Sequence, residues 1–270
     1  MSWTPSPPPT RGEILLYRVT RGIAVGLSRL YLPGRVIGKE NLPTEGAFLV
    51  APVHRSYVDW LIVARVTTRR LRYIAKAEIW KSKLAGRMLE ALGVFPVNRS
   101  GADREALERC RAVLAGGEPL VMFPEGTRRS GREVIDLREG VAYLAVRAGV
   151  PVVPVGIGGS EQSMPRGSTI PRPRRVVVVI GKPIWPPLSG TEIGGRAQAA
   201  AASAAAAASA GAASVAPAAE GARESGEGGD EAGKKRPVRV SRRATKEFSD
   251  QVAAGIQQAF DDARRRAKVV

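Results

Sequence analysis

Short apolar runs alternate with amphipathic segments through the middle of this 270-residue chain. The apolar runs are rich in valine, isoleucine and leucine, as buried strands are, and they occupy residues 36–38, 47–51, 71–75, 93–97, 120–123, 152–157 and 176–180. Between them, apolar residues recur with helical spacing over residues 60–66, 78–92, 103–115 and 137–148. Nearly continuous apolar strands that alternate with helices predict an α/β fold, with a largely parallel, mixed sheet covered by helices on both faces.

An amphipathic helix is predicted before this core, over residues 11–31. Its apolar residues recur at steps of three or four, and its arginines gather on another face: the two sets are Leu16, Val19, Ile23, Leu27 and Leu30, and Arg11, Arg18, Arg21 and Arg29. The arginines interrupt the helix too often for it to span a bilayer, but a basic face beside an apolar one suits the headgroup region of an anionic membrane. Packing on the core of the domain is the alternative interpretation.

The composition changes after the core. Residues 197–219 are nearly all alanine with some serine and glycine, and residues 220–233 are acidic and rich in glycine. Neither stretch can bury a core, so both indicate a low-complexity linker. Residues 245–268 then predict a second amphipathic helix, either docked on the core or lying on lipid; its apolar residues are Phe248, Val252, Ile256 and Phe260, and three arginines follow them.

A formal net charge of +17 favours anionic partners, such as phosphate esters, an acidic carrier protein, nucleic acid or an anionic membrane. Aromatic residues are few and are not interleaved with basic ones, and no nucleic-acid-binding motif is present, so nucleic acid is not an expected partner. The single cysteine, Cys110, excludes an intramolecular disulfide and suggests a cytosolic-type protein. The proline-rich start, residues 1–10, is expected to be an extended lead-in rather than a signal peptide.

The only histidine, His54, falls between the predicted strand 47–51 and the predicted helix 60–66. Sites in α/β proteins are commonly built at such junctions. If Ser56 caps the helix, the turn can fold His54 back so that the carboxylate of Asp59 accepts its Nδ1–H. Nε2 is then free to take a proton from a substrate hydroxyl near neutral pH. The alternative is a surface histidine beside an aspartate that merely complements the helix dipole.

Three further stretches fall at the ends of predicted strands: residues 93–99, 123–129 and 150–155. The first ends in Arg99, the second places Glu125 close to Arg128, and the third carries no reactive side chain. A guanidinium suits phosphate because its planar fork donates two parallel hydrogen bonds. Glu125 cannot bind phosphate, so in a site it would hold a substrate hydroxyl or orient an arginine. An exposed Glu–Arg pair of little value to stability is the alternative.

In this order, the stretches resemble the four motifs of the glycerolipid acyltransferase family, whose best-known members are the 1-acyl-sn-glycerol-3-phosphate acyltransferases. The matching residues are His54 and Asp59 for His-x4-Asp, 93–99 for the glycine and apolar run that ends in arginine, 123–128 for Phe-Pro-Glu-Gly-Thr-Arg, and 150–154 for the Val-Pro-rich strand. The first motif is common by chance, but the third is specific. The resemblance covers residues 36–186 and implies a glycerolphosphate acyltransferase-like fold.

The resemblance implies that His54 is a general base and that Asp59 orients it, as in a serine-hydrolase triad in which the substrate's own hydroxyl replaces serine. That hydroxyl would attack the thioester of acyl-CoA or of acyl carrier protein, which serves as co-substrate, and neither a metal nor a cofactor is implied. The residues implied to bind the acceptor are Arg99 and Arg128, for its phosphate, and Glu125, Gly126 and Thr127, which shape its pocket.

The implied product is phosphatidic acid, formed from 1-acyl-glycerol-3-phosphate at the cytoplasmic face of the cell membrane by a peripheral or monotopic protein. Val53 stands where many lysophosphatidate enzymes have asparagine, and His-Arg-Ser-Tyr is similar to glycerol-3-phosphate acyltransferases. Glycerol-3-phosphate or another lysophospholipid is therefore the alternative acceptor, and a basic peripheral membrane adaptor is the non-enzymatic alternative. The expected divisions are a lead-in (1–10), a membrane-associating helix (11–34), an acyltransferase domain (35–187), a disordered linker (188–244) and a C-terminal amphipathic basic helix (245–270).

Overall fold

A computed structural model of the chain describes residues 10–97, 103–187 and 241–268. Its strands are β1 (Gly34–Ile37), β2 (Leu49–Pro52), β3 (Arg72–Lys76), β4 (Val94–Val97), β5 (Leu120–Val121), β6 (Val152–Gly158) and β7 (Val176–Ile180). They form one seven-stranded sheet in the order β1-β7-β6-β2-β5-β3-β4. The predicted lead-in, up to residue 9, and the predicted linker, from residue 188 to residue 240, lie outside the described residues.

The sheet is mostly parallel, as the apolar runs predict. The five strands β2 to β6 run in one direction, and β7 joins them through an antiparallel pairing with β6, with β1 parallel to β7 at the edge. Because β5 is the direct neighbour of β2, the chain segments that follow these two strands leave the sheet side by side. This strand order brings the first and third sequence motifs together.

Helices flank the sheet in two groups. The helices are α1 (Arg11–Tyr31), α2 (Asp59–Val63), α3 (Lys83–Ala91), α4 (Asp103–Ala115), α5 (Gly140–Ala148), α6 (Ser160–Ser163) and α7 (Arg242–Ala267). In one group α1 contacts α2 and α3; in the other, α5 contacts both α4 and α7. The apolar side chains of β2, β6 and β7 are buried between these layers.

Three predicted helices are shorter in the structure. Helix α2 ends at Val63 instead of residue 66, and α5 begins at Gly140 instead of residue 137 because the N–H of Arg138 donates to the carbonyl of Pro124 at 2.9 Å. The predicted helix 78–92 is divided into a 3-10 turn (Ala77–Lys81) and α3. The indole of Trp80 in that turn packs against Gly86 of α3, where a Cβ would lie 2.8 Å from it.

The C-terminal helix α7 is docked on the sheet, which decides between the two alternatives that its pattern leaves open. Its apolar residues pack against β6 and β7 and are buried: Phe248, Val252, Ile256, Ala259, Phe260 and Ala263. Two glycines of β6 permit this close contact, because a Cβ at Gly156 would lie 2.1 Å from the carbonyl oxygen of Ala259, and one at Gly158 would lie 2.3 Å from that of Ala263. The helix backbone therefore rests directly on the strand.

Helix α1 presents its apolar stripe away from the protein. Tyr17, Val25 and Ser28 face inward, and the hydroxyl of Tyr17 accepts a hydrogen bond from the N–H of Leu71 at 3.0 Å. The outward stripe is 50–83% exposed and consists of Leu16, Val19, Ile23, Leu27 and Leu30. Within the described ranges, no helix combines the length and the apolar character that crossing a bilayer requires.

Candidate active site

His54 and Asp59 form a hydrogen-bonded pair at the junction of β2 and α2. Nδ1 of His54 lies 3.0 Å from Oδ2 of Asp59, whose side chain is fully buried. An ionised carboxylate only accepts hydrogen bonds, so this contact requires the proton on Nδ1 and leaves the Nε2 lone pair free. The imidazole itself is partly exposed, with 20% of its side chain accessible. The pair therefore has the geometry of a base that is oriented from behind.

The turn between these residues is held by the same carboxylate oxygen. Oδ2 of Asp59 accepts the backbone N–H of Arg55 at 2.6 Å and that of Ser56 at 2.7 Å. Ser56 does not cap the helix, although the sequence pattern suggests that it does. Helix α2 begins only at Asp59, and its N-cap residue is Val58. The Ser56 hydroxyl donates instead to the carbonyl of Met164 at 2.9 Å. Asp59 thus both caps the turn and orients His54.

Glu125 joins the third motif to the first. It is buried, and its Oε2 accepts the backbone N–H of His54 at 2.8 Å, while its Oε1 accepts Nη1 of Arg55 at 2.5 Å. The backbone N–H of Arg129 donates in return to the carbonyl of His54 at 2.9 Å. His54 is thus fixed at both main-chain groups by the loop that follows β5. Glu125 orients an arginine, and that arginine is Arg55.

Phe123 supports the imidazole from one side. Its ring stacks on that of His54 with the centroids 4.2 Å apart and the planes at 29°. A stacked aromatic ring restricts rotation of the imidazole without competing for either ring nitrogen. The third motif therefore contributes the carboxylate of Glu125, which binds the backbone of His54, and the ring of Phe123, which packs against the imidazole.

Gly126, Thr127 and Arg128 follow Glu125 around the loop. Gly126 has φ +64°, and a Cβ there would lie 2.4 Å from Nε of Arg138, so the position suits only glycine. Thr127 is exposed. The guanidinium of Arg128 stacks on the ring of Tyr57, with Cζ 3.1 Å from the ring centroid. The structure therefore places Arg128 over the turn that carries His54, with a buried Nη1 that lacks a hydrogen-bond partner among the described residues.

The other predicted site residue, Arg99, lies outside the described residues, so its phosphate-binding role stays a prediction. Cys110 is buried on α4, and burial raises the pKa of its thiol to about 12, so it is protonated at neutral pH and does not act as a nucleophile. In the described part of the chain, no three histidine, cysteine, aspartate or glutamate side chains converge as metal ligands would.

Sequence reasoning missed Arg55 and Tyr57. Arg55 is buried, pairs with Glu125, and also donates Nη2 to the carbonyl of Glu133 at 2.8 Å. Its only signal in the sequence is a charged residue directly after the histidine, in a junction that would otherwise bury small or apolar groups. Tyr57 gives no signal, because its contact with Arg128 depends on two loops meeting at the sheet edge.

Comparison with known proteins finds acyltransferases that are similar in sequence. A family model described as Acyltransferase matches residues 34–158. The 1-acyl-sn-glycerol-3-phosphate acyltransferase of Bacillus subtilis (strain 168) is 28% identical over 151 residues, which are 56% of this chain and 73% of that protein. A protein of the same name from Chlamydomonas reinhardtii is 31% identical over 173 residues, which cover 62% of this chain and 51% of the relative.

A solved structure is similar throughout most of the fold. It is the crystal structure of the 1-acyl-sn-glycerophosphate (LPA) acyltransferase PlsC from Thermotoga maritima, with a TM-score of 0.55, 25% identity, and coverage of 75% of this chain and 81% of that one. The mostly parallel sheet, the His54–Asp59 pair and these matches define the class of protein, which is an α/β acyltransferase. Within that class, the chain is similar to glycerolipid acyltransferases, among them the proteins that it matches in sequence and in structure.

Proposed function

We propose that this protein transfers an acyl group from acyl-CoA or acyl carrier protein to the free hydroxyl of 1-acyl-glycerol-3-phosphate and so forms phosphatidic acid. The observation that carries the proposal is the 3.0 Å contact between Nδ1 of His54 and Oδ2 of Asp59, which leaves Nε2 on the exposed side of the pair. The similarity to proteins named for this reaction supports the choice of acceptor.

The chemistry follows from the free nitrogen. Nε2 of His54 takes the proton from the acceptor hydroxyl as the oxygen attacks the thioester carbonyl, which forms a C–O bond and a tetrahedral oxyanion. Asp59 stabilises the imidazolium that results. Collapse of the intermediate breaks the C–S bond, and the imidazolium returns its proton to the departing thiolate. The acyl ester and a free thiol are released, and the base is regenerated.

Arg128 is the described residue best suited to the acceptor phosphate. Its guanidinium lies over the ring of Tyr57, and Nη1 is buried there without a hydrogen-bond partner among the described residues, a polar group that a bound oxyanion would satisfy. A guanidinium can donate two parallel hydrogen bonds to one oxyanion through its planar fork. We propose that Arg99 completes this phosphate site, as its position in the second motif implies.

The protein is proposed to act at the anionic, cytoplasmic face of the cell membrane. Helix α1 is proposed to be the element that contacts the lipid. The stripe formed by Leu16, Val19, Ile23, Leu27 and Leu30 is exposed on the side of α1 that faces away from the domain. Arg18 and Arg29 are exposed on the same helix. Exposed apolar surface next to arginines suits the boundary between acyl chains and anionic headgroups, where lysophospholipid and long-chain acyl donor both reside.

The deciding experiment incubates the purified chain with acyl-CoA or acyl carrier protein and a panel of acceptors: 1-acyl-glycerol-3-phosphate, glycerol-3-phosphate and other lysophospholipids. Products are identified by mass, and His54→Ala serves as the inactive control. Phosphatidic acid from the first acceptor is the expected product. Lysophosphatidate from glycerol-3-phosphate would favour the alternative acceptor, and no transfer with any acceptor would favour the membrane adaptor.

A further inference from the structure

The loop of residues 131–137, between the third motif and α5, is held from two sides at three consecutive residues. Arg55 donates Nη2 to the carbonyl of Glu133 at 2.8 Å from the active-site side. From the opposite side, the two neighbouring residues, Arg132 and Val134, are bound by one side chain of α7, that of Gln257. No regular secondary structure holds this loop, so its path depends on contacts of this kind, which include a hydrogen bond from the N–H of Gly131 to Oε1 of Glu161 at 3.2 Å.

The side chain of Gln257 forms hydrogen bonds with both a backbone N–H and a backbone carbonyl of the loop, as the backbone of a neighbouring strand would. Its Oε1 accepts the N–H of Val134 at 2.7 Å, and its Nε2 donates to the carbonyl of Arg132 at 3.1 Å. The same Nε2 donates to Oδ1 of Asp261, one turn further along α7, at 3.0 Å. A side chain that satisfies a donor and an acceptor of one backbone segment fixes that segment in position and rotation.

A second contact from α7 reaches the buried ion pair. The ring of Phe260 lies beneath the guanidinium of Arg55, with the centroid 5.0 Å from Cζ, and both side chains are buried. Arg55 in turn donates to Glu125, which binds the backbone of His54. Helix α7 therefore supplies one partner of the loop, Gln257, and contacts the other, Arg55, although the region that the family model matches ends at residue 158, more than eighty residues before α7 begins.

The loop is also joined to one of the arginines that precede it, by a partly exposed ion pair. Nη2 of Arg129 donates to Oδ2 of Asp136 at 3.1 Å, which ties the two ends of the loop together directly after Arg128. Asp136 itself has φ +52°, in the left-handed region that aspartate adopts more readily than most other non-glycine residues. Displacement of residues 132–134 would therefore be transmitted to the segment that carries Arg128.

We infer that Gln257 of the C-terminal helix is a positioning residue for the acceptor side of the active site. It fixes the loop 131–137, and through that loop it fixes the segment that carries Arg128. The inference rests on the proposed function in one respect, which is the binding of the acceptor phosphate by Arg128. Gln257 does not touch the reacting atoms, and its hydrogen bonds go to Arg132, Val134 and Asp261, not to His54 or Asp59.

The test compares Gln257→Met with Gln258→Met in the full chain. Methionine retains the length of the side chain but cannot form the two hydrogen bonds, and Gln258 is an exposed neighbour on the same helix with the same change in composition. Hydrogen exchange of the amides of residues 131–137 should become faster in Gln257→Met alone. The acceptor KM should rise about three- to tenfold, since a net protein hydrogen bond corresponds to roughly that factor in an equilibrium.

The KM of the acyl donor and the pH profile of kcat should stay as in the unmodified protein, because the base and its partner are untouched. A general folding defect would instead change both substrates and the melting temperature. Equal exchange and equal acceptor KM in the two variants would overturn the inference, and so would faster exchange with no change in acceptor KM. Failure of the proposed function is distinguishable, because it would appear as absent transfer in the unmodified chain and in Gln258→Met as well.

Discussion

Arg55 and Glu125 are seventy residues apart in the chain, yet Nη1 of the arginine lies 2.5 Å from Oε1 of the glutamate, and both side chains are buried. The pair connects the first and third family motifs, because the second oxygen of Glu125 accepts the N–H of His54. Two loops that are separate motifs in the sequence thus form a single buried network behind the imidazole. Its members are buried and hold the base in place.

Removal of one partner of this pair should be strongly destabilising. Glu125→Gln leaves the buried guanidinium of Arg55 without its counter-charge, and we expect the free energy of unfolding to fall by about 3–5 kcal/mol. Arg55→Met combined with Glu125→Gln should recover much of that loss, since no buried charge is then left alone. Urea denaturation of both variants measures the difference. A single variant as stable as the unmodified protein would contradict the buried pair.

His54→Ala should lower kcat by about a hundredfold or more, because general-base catalysis typically contributes at least that factor. Asp59→Asn should also be severe. An amide oxygen can still accept the backbone N–H groups of Arg55 and Ser56, so the fold is expected to survive, but the neutral amide does not stabilise the imidazolium. Steady-state assays with matched thermal melts check both variants, and near-normal turnover in His54→Ala would refute its role as base.

Arg128→Ala should raise the acceptor KM more than the donor KM, because it removes the proposed phosphate ligand. Arg128→Lys should restore little, since an ammonium lacks the planar fork. Tyr57→Leu should have a smaller effect in the same direction, because it removes only the ring on which the guanidinium rests. Equal increases in both Michaelis constants would indicate a change in the fold instead of a lost phosphate contact.

Ile23→Gln with Leu27→Gln should release the protein from anionic vesicles while its activity in detergent is retained, because both residues belong to the exposed stripe of α1. Arg18→Gln with Arg29→Gln should weaken binding mainly at low salt, since each arginine contributes roughly 1 kcal/mol near an anionic surface. Arg21 is left unchanged because its guanidinium donates to the carbonyl of Ala64 at 2.8 Å. Vesicle sedimentation measures the effect, and undiminished pelleting of the apolar variant would exclude α1 as the contact.

Gly156→Ala should destabilise the protein by about 1–3 kcal/mol, because its Cβ would overlap the backbone of α7 at Ala259 and force strand and helix apart. Gly26→Ala is the control. It lies in the interior of α1 with no atom within 4 Å of the new Cβ, and it should stabilise by about 1 kcal/mol through helix propensity. If Gly156→Ala melts like the unmodified protein, α7 does not rest on β6 as described.

The pattern of residues along the chain was enough to predict the sheet and the pair at its centre. Near-continuous valine and isoleucine runs occur where strands are buried on both faces, so β6 and β7 could be assigned from the sequence. His54 and Asp59 are five residues apart in one turn, and a local turn brings them together whatever the rest of the chain does. The four motifs, in their order, indicated the family.

Only the tertiary structure shows whether the apolar face of each terminal helix packs on the core or is exposed. Helices α1 and α7 have the same kind of periodicity, yet the apolar face of α7 is buried on β6 and β7, and that of α1 is turned away from the core. Periodicity records that a face is apolar, but it does not record which surface covers it. Two other features likewise depend on contacts between distant segments. The members of the Arg55–Glu125 pair are 70 residues apart, and Gln257 is more than 120 residues from the loop to which it is hydrogen-bonded. Such contacts arise from the strand order and from the two glycines of β6 that allow α7 to pack closely. Neither can be recognised from the residues of one short segment.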